Sequence, residues 1–302
     1  MRKTYISKIV PLALSLELFL TACGSAENAA ADEAETTAAT VSSSAAQTTL
    51  ETEAETVQET ENTSPDLTGR PADELFEYTV YDDHVVINKF ILSGEEIIEA
   101  KITVPEYIEG VPVTEIGKQA FYYSSGNDRM DFISEIVLPD SIEIIGEGAF
   151  SGCGSTIGLK LNLPKNLKEL GYNAFGHSGL YGEIVIPGTI SRLEDYAFKS
   201  CSFLKSVIIE NGVTAIGNSC FDECEDLSNV VIPDSVTSIG EYCFSRCTSL
   251  SSIDIPESVT VFGRDVFSST PIVEANQPLI INDILLDHSS AEGEVIIPEN
   301  VT

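Results

Sequence analysis

Residues 227–249, LSNVVIPDSVTSIGEYCFSRCTS, decide how this chain folds. Val230 and Ile232 alternate with Asn229 and Val231, so the two pairs face opposite sides of a short strand. Pro233 ends that strand, because proline has no N–H to give to a ladder. Val236 and Ile239 are inward anchors of a second extended segment. Gly240 suits a tight bend that needs either a positive φ or a close backbone approach. Cys243, Phe244 and Cys247 then close the unit through a short helical turn.

The same spacing extends in both directions. Gly171, Glu194, Gly217, Gly240 and Gly263 step by 23 residues, as do Phe175, Phe198, Phe221, Phe244 and Phe267. Pro187, Glu210, Pro233 and Pro256 keep the same step. Two earlier units, around Gly117 and Gly146, follow with small insertions near Asn127–Phe132 and Thr156–Ile157. A fixed period of this length indicates a solenoid, in which no unit has a core alone and stacked units bury one together. Glu194 stands where the others have glycine and Glu210 where they have proline, so those two turns must be built differently.

Written out, the unit is L-x-x-V-x-I-P-x-x-V-x-x-I-G-x-x-A-F-x-x-C-x-x, which closely resembles the BspA-like class of leucine-rich repeats in bacterial surface proteins. Six units across residues 104–270 carry the resemblance, opened by VPEYIEGVPVTEIGKQAF. It implies a mainly β repeat solenoid, curved and right-handed, of short parallel strands and short helical turns, with the first strand of each unit on the concave face. Ahead of it, residues 73–103 read as a β-hairpin cap, with Phe76-Tyr78-Val80 and Val85-Ile87 alternating around Asp82-Asp83. Residues 271–302 break the register: a strand-rich insert, then the start of a further unit at Val295-Ile297-Pro298-Val301, stopping in mid-repeat at Thr302.

The amino terminus reads as an export signal over residues 1–22. Arg2, Lys3 and Lys8 precede a mostly apolar run from Ile9 to Leu20, which Glu17 interrupts and which is too short to span a bilayer. Leu20-Thr21-Ala22-Cys23 resembles the lipobox of bacterial lipoproteins, which implies a diacylglycerol on Cys23 and a membrane anchor outside the cytoplasm. Residues 23–72 form an acidic Ser/Thr/Ala/Glu linker with too little apolar surface to offset chain entropy, and are expected to be disordered.

A net charge of −32 argues against nucleic acid or an anionic membrane face as partner, since both need clustered Lys and Arg. The three histidines, His84, His177 and His288, are scattered, and no nucleophile elbow, phosphate loop, dinucleotide fingerprint or EF-hand occurs. Most acids fall at variable, outward repeat positions, so no enzyme activity and no cofactor is expected. Cys220-x₃-Cys224 with Cys243-x₃-Cys247 has a spacing that zinc can use. The repeat itself explains these positions, with Cys153 and Cys201, as buried free thiols packing like small hydrophobes. Six unpaired thiols in an exported protein suggest an anaerobic or reducing niche.

What remains is surface. The outward position of each first strand is filled in turn by Val137, Asn162, Val185, Ile208, Val231 and Asp254. Val185, Ile208 and Val231 are consecutive and make a short apolar stripe, bordered by Lys205, Glu183 and Asn229, that reads either as β-propensity or as a contact for a partner. The function expected is non-catalytic binding or adhesion to a protein or cell-surface ligand. The alternative is the repeat region of a larger enzyme or glycan-binding surface protein whose other domain lies beyond residue 302.

Overall fold

The computed structural model describes residues 67, 70–91, 100–122, 132–273, 279–281 and 284–287. The export signal, Cys23, most of the linker, His288 and the unit begun at Val295 lie outside the described residues. The chain enters through α1 (Ala72–Leu75) and an antiparallel hairpin of β1 (Phe76–Val80) and β2 (Val85–Phe90). β3 (Ala100–Thr103) falls within the stretch read from sequence as cap, yet it is the first rung of the solenoid and pairs in parallel with β6 (Ile133–Val137). Leu67, buried, donates its N–H to the Lys101 carbonyl at 3.1 Å, so a residue of the linker covers the open edge of that first rung.

Each unit contributes two strands to two ladders. The first-strand ladder runs β3–β6–β8 (Lys160–Leu161) and then, separately, β10 (Gly182–Ile186), β12 (Leu204–Ile209) and β14 (Asn229–Val231). The second-strand ladder starts from β1 and β2 and continues through β5 (Val111–Ile116), β7 (Ile144–Ile145) and β9 (Glu169–Leu170). It resumes as β11 (Arg192–Leu193), β13 (Ala215–Ile216), β15 (Ser238–Ile239) and β16 (Val261–Phe262). β4 (Tyr107–Ile108) forms a hairpin with β5, and β17 (Leu279–Ile281) forms another with β18 (Ile284–Asp287).

Both ladders break between the same two units, the first-strand ladder keeping a single parallel bridge there, Leu159 to Leu180. Sequence explains the second break. An added Cβ would lie 2.6 Å from the Glu147 nitrogen at Gly171, 2.6 Å from the Asn218 nitrogen at Gly240 and 2.2 Å from the Glu241 nitrogen at Gly263. None of these three glycines has a positive φ, so close stacking is what selects glycine there. Glu194 brings a Cβ and a carboxylate to this position, and here β9 and β11 do not pair. The first break coincides with a slipped spacing. Leu180 precedes its inward anchor Ile184 by four residues rather than three, and Gly182 takes φ +83° to absorb the extra one. Glu210, in the proline slot, accepts the Gly188 N–H on its carboxylate, and Gly212 at φ +123° packs onto Gly188.

Across this seam the core runs on without interruption. Phe90, Phe121, Phe150, Phe175, Phe198, Phe221, Phe244 and Phe267 form one buried column with neighbouring centroids 5.0–5.7 Å apart, and Phe175–Phe198, astride the seam, are parallel to 2°. Ring quadrupoles alone disfavour such a sandwich. Backbone bonds from the N–H of each phenylalanine from Phe90 to Phe244 to the next unit, such as Phe175 to the Ala197 carbonyl at 2.8 Å, hold the rings in place. The closing segment is not a helical turn but a run of reverse turns. Tyr196, Tyr242, Ser200 and Arg246 sit at φ 54–62°, and their N–H groups bond carbonyls of the following unit, which offsets the cost of the left-handed conformation.

Candidate binding surface

The outward side of the first-strand ladder carries two parallel rows, because residues two apart on a strand share a face. One row holds the positions singled out above. Val185 is in register with Ile208, Ile208 with Val231, and Val231 with Asp254. Val185 and Val231 are 41% and 46% exposed, and Ile208 between them is half-buried. Val137 is exposed on β6 and Asn162 follows β8, but the break after β8 separates them from Val185. The expected ridge of six is therefore two shorter ones, and the apolar stripe belongs wholly to the later sheet.

The second row distinguishes the two sheets. In the earlier one Glu135 is gripped by Lys101 at 3.0 Å and Lys160 at 3.2 Å, and the hydrogen bond from Lys101 holds its carboxyl below the usual carboxylate range. In the later one Asn229 Nδ2 donates to Ser206 Oγ at 3.0 Å, and Ser206 Oγ donates to Glu183 at 3.1 Å. Glu183 and Asn229 thus border the stripe as expected, joined by Ser206, which the repeat pattern does not single out. Lys205 is exposed at the entry of β12, one residue before that row. Tyr181 and Phe203, 48% and 41% exposed, add two aromatic side chains where β10 and β12 begin. Their signal in the sequence is weak, since both stand at positions where the repeat has no fixed residue.

The thiols lie elsewhere. Cys153, Cys201, Cys220, Cys224, Cys243 and Cys247 are buried and free. Cys201, Cys224 and Cys247 each donate to a phenylalanine carbonyl of the preceding unit, Phe175, Phe198 and Phe221, at 3.1–3.2 Å. Burial pushes the Cys201 and Cys247 thiols up to about 12. Among the described residues no three His, Cys, Asp or Glu side chains converge as metal ligands, and no helix is long and apolar enough to cross a membrane.

Comparison with known proteins accords with this geometry. Residues 114–221 and 180–287 match the BspA type leucine rich repeat region, in six copies. Among solved structures, a leucine-rich repeat protein of Treponema pallidum is 29% identical, with a TM-score of 0.58 over 68% of this chain and 90% of that one. A leucine rich cell surface protein of Faecalibacterium prausnitzii is 26% identical, with a TM-score of 0.54 over 70% of this chain and 59% of its own. A leucine-rich repeat protein of Eubacterium ventriosum, at 19% identity and TM-score 0.54, shares the fold and is matched over 51% of its length. No curated protein sequence matches significantly. The chain belongs to the BspA-type leucine-rich-repeat family.

Proposed function

We propose that this BspA-type repeat protein is a non-catalytic binding module of the bacterial cell surface, which contacts a protein or cell-surface partner through the outward face of β10, β12 and β14. One observation carries the reading. Val185, Ile208 and Val231 stand in register on a solvent-facing sheet, beside a row of neutral or acidic hydrogen-bonding groups. Contiguous exposed apolar surface is a recognised mark of interaction sites. In the earlier sheet the stripe positions hold Thr103, Val137 and Asn162 beside an ion-paired row, so among the described residues three consecutive apolar side chains stand in register only in the later sheet. The surface location is supported by the family and by the Faecalibacterium neighbour, and attachment through a lipidated Cys23 by the lipobox resemblance.

Two experiments test this. Changing Val185, Ile208 and Val231 together to Thr should leave the melting temperature nearly unchanged and abolish adhesion and pull-down of surface partners. Adhesion that survives the triple change reduces the stripe to scaffold. Cys23→Ser should abolish palmitate labelling and release the protein from membranes, and unchanged labelling would remove the lipid anchor from the proposal.

A further inference from the structure

The seam opens a second site, on the ladder away from the stripe. Where Glu194 keeps β11 from closing onto β9, a cleft of about 380 Å³ remains, within the range of small-ligand sites. Its polar lining is Glu147, Lys168, Glu169, Ser191, Arg192 and Glu194, with the backbone of Gly146 and Gly171 on its floor. Tyr172 follows Gly171 and occupies the rung between Glu147 and Asp195, bonded through the Gly148 N–H to its carbonyl and the Asn173 N–H to Asp195. It is 51% exposed, and an edge contact with Tyr196 at 5.3 Å and 62° steadies its ring. Tyr196 is braced in turn by the Lys199 ammonium 5.9 Å from its centroid.

We propose that this cleft binds an uncharged glycan, one hexose or N-acetylhexosamine stacking on Tyr172 while the carboxylates of Glu147, Glu169 and Glu194 accept hydrogen bonds from its hydroxyls. A pyranose offers a flat C–H face and a rim of O–H donors, which an exposed aromatic ring beside carboxylate acceptors complements. Charge selects among sugars. Lys168 is committed to Glu143 at 2.7 Å, and Arg192 to Glu194 at 3.6 Å and Asp195 at 3.5 Å. Glu147 in turn holds Lys118 at 2.8 Å, so the bases beside the cleft are already paired, and uronates or sialic acids find no free cation there among the described residues. The lining also lacks a large exposed apolar side chain to anchor a peptide.

Affinity electrophoresis and titration calorimetry on the folded protein, with chitotriose, cellotriose and maltotriose as neutral probes and polygalacturonate as the anionic one, test the assignment. At least one neutral probe should bind, and polygalacturonate should not. Tyr172→Ala should weaken binding about tenfold or more, while Tyr172→Phe, which keeps the ring, stays within about threefold. Glu194→Gly restores the close-stacking residue, should let β9 and β11 pair, and should lose binding with Tyr172 intact. The Val185, Ile208 and Val231 triple change should leave glycan binding untouched, so this proposal and the adhesive stripe fail separately. Absence of binding to every neutral probe, tighter binding of polygalacturonate, or indifference to both Tyr172→Ala and Glu194→Gly overturns it.

Discussion

The rungs before the seam and those after it share one phenylalanine column and differ in almost everything the column does not control. After it the inward anchors Ile184, Val207, Val230 and Ile253 recur at 23 residues without a slip, and the first-strand face carries an apolar stripe beside the hydrogen-bonded row of Glu183, Ser206 and Asn229. Before it the corresponding step from Ile136 to Leu161 is 25 residues, and the same face is zipped by Lys101–Glu135–Lys160 ion pairs. A stacked core fixes the spacing of the rings and nothing else. Insertions and surface chemistry vary freely as long as each unit returns a phenylalanine to the column.

Alkaline pH should separate the two blocks most strongly. Five of the six buried thiols, Cys201, Cys220, Cys224, Cys243 and Cys247, lie after the seam, and burial raises them above their ordinary 9.0. A group protonated in the fold but ionised in the open chain contributes stability that is complete below its ordinary value and is lost as pH rises toward its folded value. At pH 10 that is about 1.4 kcal/mol per thiol, so five in one block approach a whole domain's margin of about 5–15 kcal/mol. Hydrogen exchange between pH 8 and 10.5 should therefore show the later block opening first, and uniform opening would mean the thiols are not what limits it.

Truncating the shared column comes next. Phe221 is fully buried between Phe198 and Phe244, and Phe221→Ala should cost about 3–5 kcal/mol in a denaturant melt. A loss below about 1 kcal/mol would break the picture of one continuous core. The smallest effect is the most diagnostic of the seam. Gly240→Ala forces a Cβ to within 2.6 Å of the Asn218 nitrogen and should cost about 1–3 kcal/mol, whereas Glu194→Ala, at the equivalent position, should cost less than about 0.5 kcal/mol. Equal costs would show that the glycine slots are not what keeps the other rungs closed.

The 23-residue period, the inward anchors and the phenylalanine column can be read from residues 227–249 outward, because each depends on one side chain recurring at one spacing. Glu194 is visible as a missing glycine, but its consequence is not. That glycine serves close stacking at an ordinary φ, and a distance between neighbouring units cannot be read along one chain. The helical turn expected around Phe244 is a pair of reverse turns because Tyr242 and Arg246 adopt left-handed backbone, which their residue types do not announce. On the binding face, Val185, Ile208 and Val231 are legible from alternation. Ser206, Tyr181, Phe203 and Tyr172 are not, since nothing repeats at their positions and only neighbouring rungs give them partners. Phe90, the first ring of the column, stands hidden in the cap hairpin for the same reason.

Leu67 has a mechanical consequence. Its N–H holds the Lys101 carbonyl at the outermost rung, so tension on the chain ahead of it arrives along the hydrogen bonds of the ladder rather than across them. Bonds loaded in that direction give way rung by rung, like a zip, instead of yielding together under shear. A solenoid pulled from this end releases a single repeat per event, freeing 29 residues from Phe121 to Phe150, 25 to Phe175 and 23 for each later unit, about 75–100 Å of contour. Tethered ahead of Leu67 and held by a partner beyond it, such a chain lengthens under drag one repeat at a time and keeps its unopened rungs folded.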